Sequence, residues 1–180
     1  MFCVKVIAEL NAVELAAVAN GWVLVDDLVV FFALVYYAFL FVVYLLRSQE
    51  LTKLEWKLSP VFSVQLVPFT SLWVLNLLIG NDSGRLLTGL PIIIYLVYDL
   101  WYRLLTRKKP YHHPDRWPVG LVVYLLLLFI GSIGLNWYGY LMSPFYGNML
   151  VIAFFIMMSS YGHYQYTYNK RRKVNNSQKQ

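Results

Sequence analysis

Four stretches of this chain, residues 28–46, 58–80, 119–142 and 149–168, contain no Asp, Glu, Lys or Arg. Each is near the length of about 20 mostly apolar residues that a helix needs to cross roughly 30 Å of hydrocarbon. In lipid a single segment satisfies its backbone donors and acceptors only by forming a helix. A fifth stretch, residues 86–105, is interrupted by Gly89 and Pro91 and carries Asp99 and Arg103. It reads as a span because the charges on its flanks require one.

Composition agrees. Hydrophobic residues make up 59% of the 180 positions and charged residues 13%, against about a quarter charged in a soluble domain. A soluble domain of this size has no interior large enough for that apolar content. The expected fold is therefore an all-α, polytopic integral membrane bundle of five spanning helices, with residues 1–168 as one domain and residues 169–180 as a disordered basic tail.

Lys and Arg collect on the cytoplasmic side of a membrane. Arg47, Lys53 and Lys57 lie between the first two spans, Arg103, Arg107, Lys108, Lys109 and Arg116 after the third, and Lys170, Arg171, Arg172, Lys173 and Lys179 in the tail. The alternate connections, residues 81–89 and 143–148, hold only Arg85. This alternation puts the C-terminus in the cytoplasm and suggests a plasma-membrane location. It also makes the net charge of +6 a topology signal and excludes nucleic acid as the reason for it.

The first 27 residues are the ambiguous part. Residues 4–25 are long enough to cross but include Glu9, Asn11, Glu14 and Asn20. Each acid at a helix centre costs about 2.5–3.5 kcal/mol, nearly cancelling what the Val, Ile and Leu residues return. Asn20-Gly21 has the form of a helix C-cap and Asp26-Asp27 that of an N-cap. The segment is thus expected to be a separate N-terminal helix, either on the outer face or re-entrant, or a sixth span joined to the next by a tight turn.

Polar residues inside spans are candidates for function, and their ordinary alternative is hydrogen-bonded glue between helices. At 100° per residue four stripes form: Gln65, Phe69, Leu72 and Asn76; Tyr95, Tyr98, Asp99 and Tyr102; Ser132, Asn136 and Gly139; Ser159, His163 and Tyr166. All four are expected to face the interior. At 1.5 Å per residue Gln65, Asp99 and His163 lie about 8–10 Å from the cytoplasmic ends of their spans. They form an inner layer, with Asn76 and Asn136 in an outer one. Asp99 pairs with Arg103 at i, i+4 in one reading. In the other, Asp99 and His163 line a wet cavity that binds a cation or passes a proton.

Several chemistries are excluded. The single Cys3 rules out an intramolecular disulfide or a cysteine cluster, and one histidine within the spans argues against a haem with two histidine ligands. His112, His113 and Asp115 resemble metal ligands in composition only, so neither a metal nor another cofactor is expected. Catalytic motifs for hydrolases, metalloproteases and nucleotide enzymes are absent, and Ser159 with His163 at i, i+4 reads as a helix-surface pair.

Gly131, Gly134 and Gly139 supply a small-residue face that suits close approach of a helix from this chain or from a partner. Lys170, Arg171, Arg172 and Lys173 suit anionic lipid headgroups, at about 1 kcal/mol per basic residue. Together these features favour binding or translocation of a small molecule or ion, alone or as the membrane subunit of a transport system. The site would be Gln65, Tyr95, Tyr98, Asp99, Asn136 and His163, completed by Glu9 and Glu14. The alternatives are a non-catalytic assembly subunit and a membrane enzyme acting on a lipid or isoprenoid.

Overall fold

The computed structural model describes the backbone of residues 2–51, 54, 58, 61, 63–80, 82–106 and 119–177, and within these the side chains of residues 21, 23–51, 54, 58, 61, 63–80, 82–101, 120 and 122–171. The elements are helices α1 (Phe2–Ser48), α2 (Leu66–Ile79), α3 (Ser83–Thr106), α4 (Val119–Met142) and α5 (Pro144–Ser177), with no strand among the described residues. Four are long and apolar enough to cross a membrane, over Val23–Ser48, Ser83–Trp101, Val122–Met142 and Pro144–Arg171.

The helix expected over residues 58–80 is shorter. Its regular part, α2, has 14 residues, about 21 Å. Pro68 has no backbone N–H and is best accommodated in the first turn of a helix, and α2 accordingly begins at Leu66 after a turn at Gln65. At its other end Gly80 takes up φ 74° and returns its N–H to the carbonyls of Asn76 and Leu77. A left-handed residue closing a helix in this way favours glycine.

The N-terminal expectation is corrected. Helix α1 runs without interruption from Phe2 to Ser48, so Asn20-Gly21 ends no helix and Asp26-Asp27 begins none. The 21 residues before Val23 add about 31 Å to the same helix. A continuous helix does not double back as a sixth span or a re-entrant segment. The basic tail likewise continues α5 as far as Ser177; cations there lie at the negative end of the helix dipole.

Helix α5 starts where the sequence Ser143-Pro144 provides a cap. The Ser143 hydroxyl accepts the Tyr146 N–H at 3.2 Å, and Pro144 occupies the first helical position, where its missing N–H costs nothing. Helix α1 ends with Glu50 at φ 60°, bonded through its N–H to Arg47 and followed by a Leu51 N–H bond to Leu46. Arg171 closes that end, reaching Glu50 at 2.7 Å and the Ser48 carbonyl at 2.9 Å.

Contacts along α1 fix the topology. Asp27 meets Tyr146, Tyr37 meets Phe154, Tyr44 meets Tyr161 and Glu50 meets Arg171, so α1 and α5 are parallel. Asp26 meets Arg85 and Tyr36 meets Tyr95, so α3 is also parallel to α1. Helices α2 and α4 run the other way. The interior is rich in aromatic and branched residues, with Tyr36, Tyr37, Tyr95, Tyr124, Leu96 and Leu135 fully buried. A smaller cluster of Val25, Val29, Leu72 and Tyr138 lies at the Asp26 end. Large apolar side chains, among them Val67, Leu78, Leu87, Ile133, Phe145 and Phe155, point outward, as lipid requires and water penalises.

The close neighbour of the small-residue face is within the chain. A Cβ added at Gly131 would lie 3.2 Å from the Ile92 Cα, and one at Gly134 would lie 2.4 Å from the Thr88 carbonyl. Helices α3 and α4 therefore touch through backbone. At Gly139 the neighbour is α5, through Gly147 and Leu150.

Candidate functional site

Polar side chains inside the bundle form successive layers along α1. The first gathers four helices. Arg85 of α3 donates to Asp26 Oδ2, Tyr138 of α4 donates its hydroxyl to Asp26 Oδ1 at 2.6 Å, and Asn76 of α2 donates to the Tyr138 oxygen at 3.2 Å. The carboxylate is buried while the guanidinium keeps 21% of its side-chain exposure. Next to it Tyr146 of α5 donates to Asp27 at 2.7 Å. Each of α2 to α5 thus contributes one side chain to this end, and Asp26 and Asp27 of α1 receive three of them.

In the second layer Tyr37 shares its hydroxyl proton between the Ser132 carbonyl and Asn136 Oδ1, each at 3.0 Å. The Ser132 hydroxyl returns to Leu128 at 2.8 Å, so the α4 stripe is held from within its own helix and from α1. The third layer is aromatic. The ring of Tyr36 lies 6.3 Å from both Phe69 and Tyr95 in edge-to-face geometry, and the Tyr95 and Tyr124 hydroxyls are 2.6 Å apart.

The fourth layer follows from register. Phe69 and Tyr95 are both level with Tyr36, α2 is antiparallel to α1 and α3 is parallel to it. One turn onward, Gln65 and Asp99 are therefore both level with Leu40. Gln65 and Asp99 are buried, Asp99 to 1% exposure, and Tyr36 lies within electrostatic reach of Asp99. Both Asp99 carboxylate oxygens and Gln65 Oε1 are sealed from the surface, and Gln65 Oε1 meets no hydrogen-bond donor among the described residues. This layer places a carboxylate and an amide oxygen beside aromatic rings, groups able to meet a cation or a ligand carrying N–H or O–H donors.

Of the expected site residues, Gln65, Tyr95 and Asp99 come together. Tyr98 is half-buried at the edge and donates to the Gly120 carbonyl at 3.2 Å; Asn136 belongs to the Tyr37 layer. His163 is exposed, with Ser159 and Tyr166 beside it, so the α5 stripe faces outward and not into the bundle. The inward face of α5 is instead Leu150, Met157 and Ser160. Ser159 returns its hydroxyl to Phe155 at 2.9 Å, and a polar group satisfied within its own helix has no need of the interior. The side chains of Glu9, Glu14, Tyr102 and Arg103, and residues His112, His113 and Asp115, lie outside the described residues. Among the described residues no three His, Cys, Asp or Glu side chains are grouped to hold a metal.

Sequence reasoning missed the Asp26 layer. Asp26 was expected to be a cap, yet one signal was available: Arg85 is the single basic residue of its connection, and by topology it shares an end of the bundle with Asp26, Asp27 and Asp82. The fold and layers define a helical bundle with four helices able to cross a membrane. No protein-family model matches the chain, and no curated protein or solved structure is significantly similar to it.

Proposed function

We propose that this chain is an integral membrane protein that binds a small molecule or ion at the Gln65–Asp99 layer, as a carrier or as the membrane subunit of one. The observation that carries the reading is Asp99, a carboxylate buried to 1% exposure in an apolar span. Ionisable groups in such segments are expensive and are characteristic of ligand and ion pathways. Tyr95 and Gln65 complete the site. The basic residues of the connections support a cytoplasmic Ser48 end and C-terminus, with Lys170 to Lys173 suited to anionic headgroups and the plasma membrane as the location in this reading.

Native mass spectrometry of the protein released from nanodiscs tests the reading. A small adduct above the 21.1 kDa chain is expected in the wild type, lost in Asp99→Asn and kept in Ser159→Ala. Identical spectra for wild type and Asp99→Asn would overturn it. A second reading, a non-catalytic assembly subunit, is favoured by the outward stripe of Ser159, His163 and Tyr166, which lipid does not require. In that case the same spectrum shows a protein partner, and Tyr166→Ala removes it.

A further inference from the structure

We propose that Asp26 is the latch of a gate between α1 and the α3–α4 pair, closing the route to the Gln65–Asp99 layer from the Asp26 end; the inference rests on reading that layer as a binding site. Two pairs of helices are each fastened along their length, and α4 is joined to α5 at Gly139–Gly147 and Phe129–Phe154, so this contact is the hinge about which the pairs part. Helices α1 and α5 are joined at Asp27–Tyr146, Tyr37–Phe154, Tyr44–Tyr161 and Ser48–Arg171. Helices α3 and α4 are joined through Gly131 and Gly134, Tyr95–Tyr124 and Tyr98–Gly120.

Across the seam between the pairs α1 reaches out with Asp26 and Tyr37. These two are 11 residues apart, with the fully buried Ala33 between them, and at 100° per residue all three fall within about 20° of one face. The seam therefore leads from Asp26 past Ala33 to Tyr37, and through the adjacent Tyr36 and Tyr95 to the level of Asp99. Along it polar groups alternate with small and aromatic ones, whereas the α3–α4 contact is backbone against backbone.

The oxygens of Asp99 and Gln65 are sealed in this conformation, so a ligand reaches them only when the bundle opens, and the seam offers a path lined with polar groups. Close-packed side chains do not yield at a point, but an ion pair at the edge of the bundle has a second state, because water replaces the lost partner. Arg85 keeps a fifth of its side chain exposed and so has water at hand. Tyr138 holds the closed state through the same carboxylate and Asn76 through Tyr138, so among the described residues Asp26 is where α2, α3 and α4 are tied to this end of α1.

Thiol accessibility tests this without reference to any ligand. In nanodiscs, with Cys3→Ser as background, a thiol introduced by Ser132→Cys beneath the latch is compared with one introduced by Met157→Cys on α5; both positions are buried. The probe is the charged reagent methanethiosulfonate ethyltrimethylammonium. Asp26→Asn is expected to raise the labelling rate at position 132 at least tenfold and to leave position 157 unchanged, with Asp26→Glu close to wild type. Tyr138→Phe, which removes the hydrogen bonds to Asp26 and from Asn76 but leaves the Arg85 ion pair, is expected to give a smaller rise in the same direction and stands in if Asp26→Asn does not fold. Unchanged rates at 132, or equal rises at 132 and 157, would overturn the gate. If the gate responds and Asp99→Asn still leaves the mass spectrum unaltered, the seam opens but the binding site lies elsewhere.

Discussion

A carboxylate at position 26 carries two competing signals, one local and one tertiary. Locally, Asp favours the start of a helix because its oxygen accepts orphan N–H groups. In the folded chain the residue sits in mid-helix, and its oxygens are taken by Arg85 and Tyr138. Cap chemistry was legible in the sequence, but the partner that overrode it lies 59 residues away and was not. Taking away one member of a buried pair leaves an uncompensated charge, at a cost of about 3–5 kcal/mol. Arg85→Ala is therefore expected to lower stability by about that much, measured by reversible unfolding in mixed micelles. A loss within the range of about 0–1 kcal/mol seen for exposed pairs would show that water already solvates Asp26.

At the scale of elements, apolar runs locate α1, α4 and α5 because lipid leaves a helix no alternative to hydrogen-bonding itself, and the charges on its flanks locate α3. Their facing was harder to read. Polar stripes on α2, α3 and α4 do turn inward, as Gln65, Asn76, Asp99 and Ser132 show. On α5 the stripe turns outward, since Ser159 is satisfied by Phe155 and periodicity cannot register that bond. The glycines of α4 were recognised as an interface without their neighbour, which is the backbone of α3 at Thr88 and Ile92. A methyl group at Gly134 meets the Thr88 carbonyl at 2.4 Å, so Gly134→Ala forces the two helices apart. The expected loss is about 1–3 kcal/mol, the range for overpacking, with less at Gly131, where the nearest atoms are 3.2 Å away. Thermal melting of the two variants in one detergent checks the order, and a Gly131→Ala more harmful than Gly134→Ala would contradict the packing.

Over the whole molecule, the two clasps on α1 set a length. Asp26, held by Arg85, and Ser48, held by Arg171, are 22 residues apart, about 33 Å along the helix. That matches the roughly 30 Å of a hydrocarbon core; with α1 set across a membrane, the charged groups that fasten the bundle would fall near its two surfaces and Asp99, level with Leu40, about 12 Å inside the Ser48 clasp. The basic connections carry a topology signal in the sequence, whereas the continuation of α1 on the N-terminal side of Val23 is hidden there, because Glu9 and Glu14 oppose insertion without preventing a longer helix. The same geometry places Ser83, at the start of α3, beside the Asp26 clasp and Ser177, at the end of α5, past the Ser48 clasp. In sealed vesicles of one orientation, with Cys3→Ser as background, a thiol introduced by Ser83→Cys is expected to react with an impermeant maleimide from one face and a thiol from Ser177→Cys only after the other face is opened. Labelling of both from the same face would mean that the roughly 33 Å between the clasps lies along the membrane surface and not across it, and the burial of Asp99 would then have no hydrocarbon to explain it.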